Sequence, residues 1–507
     1  MRKRVVNASL TIVFAVILSF TCVGGSNIGF LSNFGMNVDA ENISAGDVNY
    51  PEIVDMTDAY QLILSQGSKE VFEGYPVDEN FLMWIDANYG DEVVLDIAYE
   101  VFQGNHNSEI WYTYTKNSMH VLWLTYCKDL NYSTYQLENV IWGECSDSEV
   151  ITMDFVGDIN FADDWYTMQA ASQRTNGIDD CISEEIRQEL QSADLTLVNH
   201  EFTYGVNNEP IPGKDYVFEA NPEHVALLDT FGTDIVSMAN NHVFDYSEAG
   251  LVDTMQTLTN ANMPWIGAGM NLDEAKRIQY YIFNGRKIAI VAASEIERFT
   301  QYTRQATEST SGVLKILNPE AFLDEIREAK QNADYVIAYV HWGVEGNTRN
   351  NVPQEELASM FVEAGADVII GGHPHRLQGI SYIDDVPVAY SIGNFWFSTG
   401  TLYTTIAQIQ IDNSGEIKLR MIPCLQKDLQ TTLITEPEEV ENFYQYLADN
   451  STKIGITGDG TIYNYQGEVD PDEVNQCIYQ SELGYGAYDG LKALAGRTID
   501  IVGNLQE

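Results

Sequence analysis

The chain has 507 residues and a formal net charge of -49, with 45% hydrophobic and 11% aromatic residues. This composition excludes a disordered chain, and the length suggests two or three domains. The sequence shows no basic patch large enough for nucleic acid, so nucleic acid is excluded as a partner. The acidity also repels any polyanionic substrate unless a metal ion or a local basic group offsets it.

The N-terminus has the chemistry of an export signal. Four residues, MRKR, precede an apolar stretch from about Val5 to Gly25. Val38-Asp39-Ala40 is an acceptable cleavage site, whereas the residues before Cys22 make a poor lipobox. The apolar stretch is also nearly long enough to span a bilayer uncleaved. Residues 1–40 are therefore predicted to be an export signal or a membrane anchor, with the protein at the cell surface, membrane-anchored or secreted.

The six cysteines have irregular spacing and form no C-x-x-C motif. Export permits disulfides, and Cys127 with Cys145 is the most plausible local pair. Buried free thiols are the alternative, and the spacing fits them as well.

Residues 41–149 are predicted to form a small N-terminal α+β domain of unknown role, which begins with a polar linker. Apolar spacing predicts helices over 57–64 and 79–85, whereas the alternation in Trp111-Tyr112-Thr113-Tyr114 predicts a strand. The segment 104–107 (GNHN) resembles a metal-site fragment, but it has no companions nearby and is interpreted as a loop.

From residue 150 to about 425, short apolar runs alternate with helical stretches. This alternation predicts an α/β domain with buried strands. The runs interpreted as strands are 151–156, 195–198, 235–238, 288–293, 335–340, 368–370 and 388–392.

Capping signals place helices between these strands. Asn221-Pro222 and Asn318-Pro319 are interpreted as N-caps followed by proline at the first helical position. The segment 354–364 has helical spacing and ends at Gly365.

The end of the chain is expected to differ from this alternating pattern. Segments 406–411 and 418–425 alternate and predict a hairpin around Asn413-Ser414-Gly415. Residues 426–507, with a helical piece over 438–447, are interpreted as a C-terminal extension.

Polar side chains follow the apolar runs at their carboxyl ends, the edge of an open α/β sheet where ligands bind. Three pairs are spaced i, i+2, so extended chain turns both members to one side. These pairs are Asp158/Asn160, Asn199/Glu201 and His373/His375.

Five of the eight histidines belong to such strand-end motifs, namely His200, His242, His341, His373 and His375. Imidazole, carboxylate and amide oxygens together suit Mn, Fe or Zn. Cysteine is absent from the set, which argues against a structural zinc site. The sequence therefore predicts one or two divalent transition-metal ions at this edge.

The order of these motifs resembles the metallophosphoesterase set, and specifically its CapA (poly-γ-glutamate capsule synthesis) branch. The matching segments are Asp158-x-Asn160, Glu201, Asn241-His242, His341 and Gly372-His373-Pro374-His375. Further CapA-like features are Asn240-Asn241-His242-x-x-Asp245, Gly267-Ala268-Gly269-Met270-Asn271, His341-Trp342-Gly343 and Ser391-Ile392-Gly393-Asn394-Phe395. Each motif is weak alone, whereas the ordered set over about 275 residues is specific.

The resemblance implies an α/β calcineurin-like sandwich, two sheets flanked by helices, for residues 150–425. The metal ligands it implies are Asp158, Asn160, Glu201, Asn241, His341, His373 and His375. His242, held by Asp245, would be the general acid. Two departures stand out: Asn160 replaces a histidine ligand, and His200 stands where the branch commonly has an aliphatic residue.

Three functions remain open at this point. The family implies a component of poly-γ-glutamate synthesis, export or anchoring, working with this anionic polymer and with membrane-embedded capsule-synthesis partners. The superfamily implies a secreted metal-dependent phosphatase or phosphodiesterase acting on phosphoesters. A metal-dependent hydrolase of γ-glutamyl amide bonds is the third, and all three would use the same pocket.

Overall fold

The computed structural model describes residues 56–130, 139–297, 302–464 and the strand 477–480. The predicted export signal and linker therefore lie outside the described residues, as does most of the C-terminal extension beyond residue 464. Within the described residues, no helix combines the length and the apolar character needed to cross a membrane.

Five helices open the described chain: α1 (Met56–Gln66), α2 (Glu79–Tyr89), α3 (Asp91–Phe102), α4 (Glu109–Thr115) and α5 (Met119–Asp129). Their apolar faces form a separate core around Phe81, Trp111 and Leu122. The first two helices confirm the predictions over 57–64 and 79–85. The side chain of Asp78 caps α2 by accepting from the Phe81 amide at 3.0 Å.

The strand predicted at Trp111–Tyr114 is wrong, because these residues lie in helix α4. Burial explains the error: Ile110, Trp111, Tyr112 and Thr115 are buried together on α4, so tertiary packing decides against the alternation and the β propensity of the aromatics. Segment 104–107 lies between α3 and α4 outside any helix or strand, as predicted. Cys127 and Cys145 are both free thiols, so the local disulfide is not formed.

A seven-stranded sheet forms one layer of the main domain. Its order is β1 (Val140–Trp142), β9 (Gln279–Phe283), β10 (Arg286–Ser294), β12 (Tyr335–His341), β13 (Val368–Gly372), β15 (Val386–Ala389) and β14 (Ile380–Ile383). Strands β10, β12, β13 and β15 are parallel, so their carboxyl ends share one edge. Residues of β10 alternate between two apolar cores, with Ile288 and Ile290 on one side and Ala289 and Val291 on the other.

An eight-stranded sheet forms the second layer. Its order is β19 (Gln430–Leu433), β18 (Ile417–Lys427), β17 (Leu402–Asp412), β2 (Val150–Ile159), β3 (Leu195–His200), β6 (Ile235–Ser237) and β7 (Trp265–Ile266), with β16 (Asn394–Trp396) paired to β2. Strands β2, β3, β6 and β7 run parallel. The largest core packs between the two sheets and includes Phe155, Leu197 and Ile337. The predicted α/β two-sheet sandwich is confirmed.

The remaining elements connect or flank these sheets. The helices are α6 (Tyr166–Ser172), α7 (Glu184–Ser192), α8 (Ser247–Asn260), α9 (Leu272–Ala275), α10 (Glu320–Asn332), α11 (Val352–Ala364) and α12 (Pro437–Asn450), with 3-10 helices at Gly177–Asp180 and Pro222–Phe231. Short strands are β4 (Thr203–Tyr204), β5 (Glu219–Ala220), β8 (Ala268–Gly269), β11 (Gly312–Val313), β20 (Ile454–Thr457), β21 (Ile462–Asn464) and β22 (Cys477–Gln480).

Most capping and turn signals are confirmed. Asn221 caps the 3-10 helix that starts at Pro222, and Gly365 ends α11 with a φ of 116°. At Asn318-Pro319 the prediction is wrong by one position, because Pro319 is itself the N-cap and α10 starts at Glu320. The predicted hairpin pairs β17 with β18. Strand β18 runs to Lys427 and β19 pairs with it, so the boundary predicted at 425 falls inside a strand.

The helical unit contacts the sandwich through a buried arginine. Arg286 opens β10, has a side chain only 2% exposed, and donates from both terminal nitrogens to Glu109 of α4, each at 2.6 Å. Its guanidinium carbon also lies 3.6 Å from the centroid of the Tyr112 ring. The Tyr112 hydroxyl donates to the Asn284 carbonyl at 3.0 Å and to Asn413 Oδ1 at 3.1 Å. One charged side chain therefore connects α4 to the seven-stranded sheet.

Replacing Glu109→Gln should lower the free energy of unfolding by about 1–2 kcal/mol, because Arg286 would remain buried without its counter-ion. The figure is modest since the Glu109 side chain is 47% exposed and water replaces part of the pairing. Asp324→Asn is the matched control, because its pair with Arg327 is exposed on both sides and should contribute less than about 0.5 kcal/mol. Urea unfolding of both variants checks this, and equal losses would contradict it.

Candidate metal and acid–base centre

The strand-end residues of the two sheets meet in one buried cluster. Asp158 lies near the end of β2, and Glu201 follows β3 directly. From the other sheet, His341 ends β12, and His373 follows β13. All four side chains are fully or almost fully buried. Parallel strand ends at the junction of two sheets therefore bring together side chains from across the chain.

Close backbone packing allows these strand ends to approach. A Cβ on Gly157 would lie 1.8 Å from the Gly393 carbonyl oxygen, so only glycine fits beside the strand that carries Asp158. After β13 the chain turns sharply, since His373 and His375 have φ values of 95° and 54°. Non-glycine residues adopt this left-handed region at an energetic cost, and such strain clusters at functional sites.

An Asx-type turn places the third motif. The Asn240 side-chain oxygen accepts from the backbone amides of His242 and Val243, both at 3.0 Å, immediately after β6. Its amide nitrogen donates to the His200 carbonyl at 2.8 Å. These bonds fix the chain direction at the point where Asn241 and His242 reach the cluster.

One candidate ligand group centres on Glu201, His373 and His375. Each offers a ligand atom, and these atoms lie within 4.8 Å of one another. Neither carboxylate oxygen of Glu201 has a hydrogen-bond partner among the described residues, and the same holds for His373 Nδ1. Because buried polar atoms are normally paired, these orphaned atoms fit a cation that they would share.

Asp158 adjoins the same group through His375. His375 Nδ1 lies 3.0 Å from Asp158 Oδ2 and 2.7 Å from Asn394 Oδ1. With Nδ1 directed at these acceptors, His375 Nε2 faces Glu201 Oε1 at 3.9 Å, too far for a hydrogen bond. A carboxylate that orients a histidine in this way is typical of metal sites.

Asn241 and His341 form a second pair beside Glu201. His341 Nε2 lies 2.7 Å from Asn241 Oδ1 and 3.5 Å from Glu201 Oε1. His341 Nε2 therefore lies close to predicted ligand atoms of both Asn241 and Glu201. Asn199 Nδ2 donates to Asp158 Oδ1 at 2.7 Å and contacts His341 Nδ1 at 3.3 Å, so Asn199 positions its neighbours from the same side of β3 as Glu201.

Asn160 is placed differently from the other predicted ligands. Its side-chain oxygen accepts from the Ala162 amide at 2.8 Å, and its amide nitrogen is buried with no partner among the described residues. An amide nitrogen that carries two protons does not bind metal ions. This geometry weakens the assignment of Asn160 as a ligand, and its role stays a prediction.

Burial governs the protonation of the cluster. Burial, with the neighbouring Asp158, raises the pKa of Glu201 well above its usual value. Burial and the neighbouring histidines lower the pKa values of His341 and His373 well below theirs. For His375 burial acts in the same direction, but hydrogen bonds to Asp158 and Asn394 outweigh it and raise the pKa. Without a cation, the cluster therefore favours a protonated Glu201 and neutral imidazoles at His341 and His373, whereas His375 retains a proton more readily.

The predicted acid–base pair is formed. His242 Nδ1 lies 2.8 Å from Asp245 Oδ2, and both side chains are buried. Burial lowers the pKa of His242. The charge of Asp245 raises this pKa, whereas the charge of Lys214 lowers it, and the net shift is downward. The neutral imidazole carries its proton on Nδ1 towards Asp245, which leaves Nε2 without a proton.

Sequence reasoning missed three side chains that support these residues. Lys214 donates to Asp245 and to the Asn241 carbonyl, Thr303 donates to the same carbonyl, and Asn394 contacts His375. Asn394 lies within a CapA-like motif, which was a usable signal. Lys214 and Thr303 lie on long connections between strands, where no periodicity or spacing indicates a role.

His200 faces away from the cluster. It is fully buried, and its ring centroid lies 3.7 Å from that of Phe202 and 4.8 Å from that of Tyr204. Both ring nitrogens are without a hydrogen-bond partner among the described residues. His200 therefore occupies an apolar core position, which agrees with the aliphatic residue common in the CapA branch.

The strand ends of the two-sheet α/β sandwich carry acids, asparagine and histidines, as the resemblance to the CapA branch implies. The family model for the bacterial capsule synthesis protein PGA_cap matches residues 152–399. The PGA biosynthesis protein CapA of Bacillus subtilis (strain 168) is 30% identical over 325 residues, which cover 61% of this chain and 83% of that protein. The chain belongs to the CapA family of bacterial capsule synthesis proteins.

One further sequence relative and one solved structure were compared with the chain. The capsule biosynthesis protein CapA of Bacillus anthracis is 28% identical over 317 residues, covering 61% of this chain and 75% of that protein. Among solved structures, the 5'-nucleotidase of Candida albicans SC5314 aligns over 56% of this chain and 53% of that chain, with 11% identity and a TM-score of 0.30. A structural likeness at this level says nothing about activity.

His200→Leu should make the protein less sensitive to acid. Burial lowers the pKa of His200 to about 3. Below pH 6.5, this imidazole is therefore protonated in the unfolded chain but stays neutral in the folded chain. The resulting decrease in the free energy of unfolding grows as the pH falls from 6.5 towards 3 and amounts to about 2 kcal/mol at pH 5. Urea unfolding should show that the free energy of unfolding decreases less from pH 7.5 to pH 5 in the variant than in the wild type. An equal loss would contradict the assignment of His200 to the core.

Proposed function

We propose that this protein is an exported component of poly-γ-glutamate capsule synthesis that acts on, or handles, its polymer at a metal site between the two sheets. The supporting observation is the pair of Glu201 carboxylate oxygens, buried without a described hydrogen-bond donor beside His373 and His375. The sequence of the first 40 residues supports export. Membrane-embedded synthesis partners belong to the same proposal.

The residues present fit one or two divalent transition-metal ions. Glu201, His373 and His375 would hold such an ion, and Asp158, Asn241 and His341 adjoin this group. When bound, such an ion polarises a carbonyl or phosphoryl oxygen and lowers the pKa of a bound water. The donor set of imidazole, carboxylate and amide oxygen suits Mn, Fe or Zn.

His242 and Asp245 supply the proton chemistry in this proposal. Asp245 orients the imidazole through Nδ1, so that Nε2 is available to the substrate. Since the pKa of His242 is lowered, the residue would receive a proton at Nε2 before it donates one to a leaving group. An anionic substrate close to the ring favours this protonation.

A secreted metal-dependent phosphatase or phosphodiesterase is the second candidate function. The observation that favours it is the formed His242–Asp245 pair, because a protein that only binds polymer has no need of an oriented imidazole beside a metal site. A γ-glutamyl amide hydrolase would use the same residues. Turnover separates both hydrolases from a polymer-handling role.

The metal content of the purified, exported chain tests the site. We expect one or two transition-metal ions per chain after incubation with Mn²⁺ or Zn²⁺, and their loss in a His373→Ala/His375→Ala double variant. Affinity should rise with pH, because Glu201 must lose the proton that its raised pKa retains. His106→Ala/His224→Ala, outside the cluster, is the matched control. Elemental analysis that finds no stoichiometric metal in the wild type would refute the metal-dependent readings.

His242→Ala tests catalysis separately from metal binding. The variant should retain its metal while hydrolysis of phosphoesters or γ-glutamyl polymers falls by about 100- to 10,000-fold, the usual contribution of a positioned acid or base. Steady-state rates and metal content are measured on the same preparation. Wild-type activity in the variant would rule out the assigned role. No turnover by the wild type on either substrate class, with polymer binding preserved in the variant, would support polymer handling instead.

A further inference from the structure

Lys214 is a buried cation next to the candidate centre. Its side chain is 6% exposed and lies in the connection between β4 and β5. The ammonium nitrogen lies 2.7 Å from Asp245 Oδ1 and 3.5 Å from Glu297 Oε1, and it also donates to the Asn241 carbonyl. An ammonium group is costly to bury unless it is paired, and this one meets acceptors from two other segments of the chain.

The Asp245 carboxylate is occupied on both oxygens. Oδ1 accepts from Lys214, whereas Oδ2 accepts from the Phe218 amide at 2.8 Å and lies 2.8 Å from His242 Nδ1. Asp245 is fully buried, so water does not compete for these positions. Lys214 and Phe218 therefore determine how Asp245 presents its oxygen to the imidazole.

The Asn241 carbonyl is held from two sides. Lys214 is one donor, and the Thr303 hydroxyl is the other at 2.9 Å. Thr303 Oγ1 also lies 3.2 Å from Glu297 Oε2, a longer contact that competes for its one proton. The neighbouring Tyr302 hydroxyl donates to the Gly213 carbonyl at 3.0 Å. With its backbone fixed in this way, Asn241 presents its side-chain oxygen to His341.

We propose that Lys214 is a positioning residue that sets two functional groups at once: the metal ligand Asn241 through its carbonyl, and His242 through Asp245. The part of this role in which Lys214 positions a metal ligand rests on the proposed function. A lysine suits the task because it has three donors on one atom and the charge to balance Asp245 and Glu297. The Asn241 carbonyl and the Asp245 carboxylate both accept from this one ammonium group, so a shift of the group moves both acceptors.

Lys214→Met tests the proposal in the full exported chain, because methionine retains an unbranched apolar side chain but has no donor. Zn²⁺ affinity by titration calorimetry should fall by about 10- to 100-fold, the usual effect of removing a partner that orients a ligand. The ¹⁵N NMR signals of His242 at pH 8 should shift, because Asp245 Oδ1 would lose the donor that fixes the carboxylate facing Nδ1. Lys418→Met is the matched control, since Lys418 is 41% exposed and its pair with Glu416, at 3.3 Å, lies on the surface.

The Thr303→Val variant separates the effect on the Asn241 carbonyl from the effect on His242. It also serves as the test if the Lys214→Met variant does not fold. It removes the hydroxyl that donates to Asn241 and leaves Lys214 on Asp245, so Zn²⁺ affinity should fall while the His242 signals stay unchanged. A folded Lys214→Met variant with wild-type affinity and wild-type His242 signals would overturn the proposal. If Lys214→Met does not fold, a Thr303→Val variant that binds Zn²⁺ with wild-type affinity would overturn the proposal. A wild type without Zn²⁺ binding would refute the proposed function instead, and the His242 signals would then decide whether Lys214 acts through Asp245.

Discussion

The burial of two carboxylates between the sheets is the constraint on which the rest of the site depends. Asp158 and Glu201 are both 0% exposed. Asp158 is bonded by Asn199 and approached by His375, whereas Glu201 has no described donor. A carboxylate in such surroundings must either be protonated or be matched by positive charge. The imidazoles of His341 and His373 do not supply that charge, because burial favours their neutral form, whereas His375, whose pKa is raised, directs Nδ1 at Asp158.

The fold makes this arrangement stable by packing the cluster inside a large apolar core. Both sheets present branched aliphatic residues on their inner faces, and β10, β12 and β13 are buried on both faces. The acids and histidines of the cluster stand where these parallel strands end, so the pairing of β10 with β12 and of β12 with β13 continues regularly beneath them. Stability comes from the strands, and the strand ends carry a destabilising but chemically useful group of side chains.

Much of this could be predicted because it depends on local pattern. Apolar runs of three to six residues predicted the positions of β2, β3, β10, β12 and β13, and residues at the carboxyl ends of parallel strands share one edge. The strand predicted at Trp111–Tyr114 failed because helical packing of Ile110 and Trp111 against the other helices outweighs local alternation. Lys214, Thr303 and Asn394 act through contacts across 19 to 62 residues, which no local pattern contains.

The distribution of charge around the centre limits how an anionic substrate can bind. The chain carries a net charge of -49, and its two buried lysines near the site are already engaged. Lys214 balances Asp245 and Glu297, and Lys315 donates to the Glu297 carbonyl. Neither ammonium group is available to a carboxylate or a phosphate without giving up a buried partner. If the proposed function holds, bound metal ions would supply much of the attraction for a polyanion, so that metal binding and substrate binding would be linked.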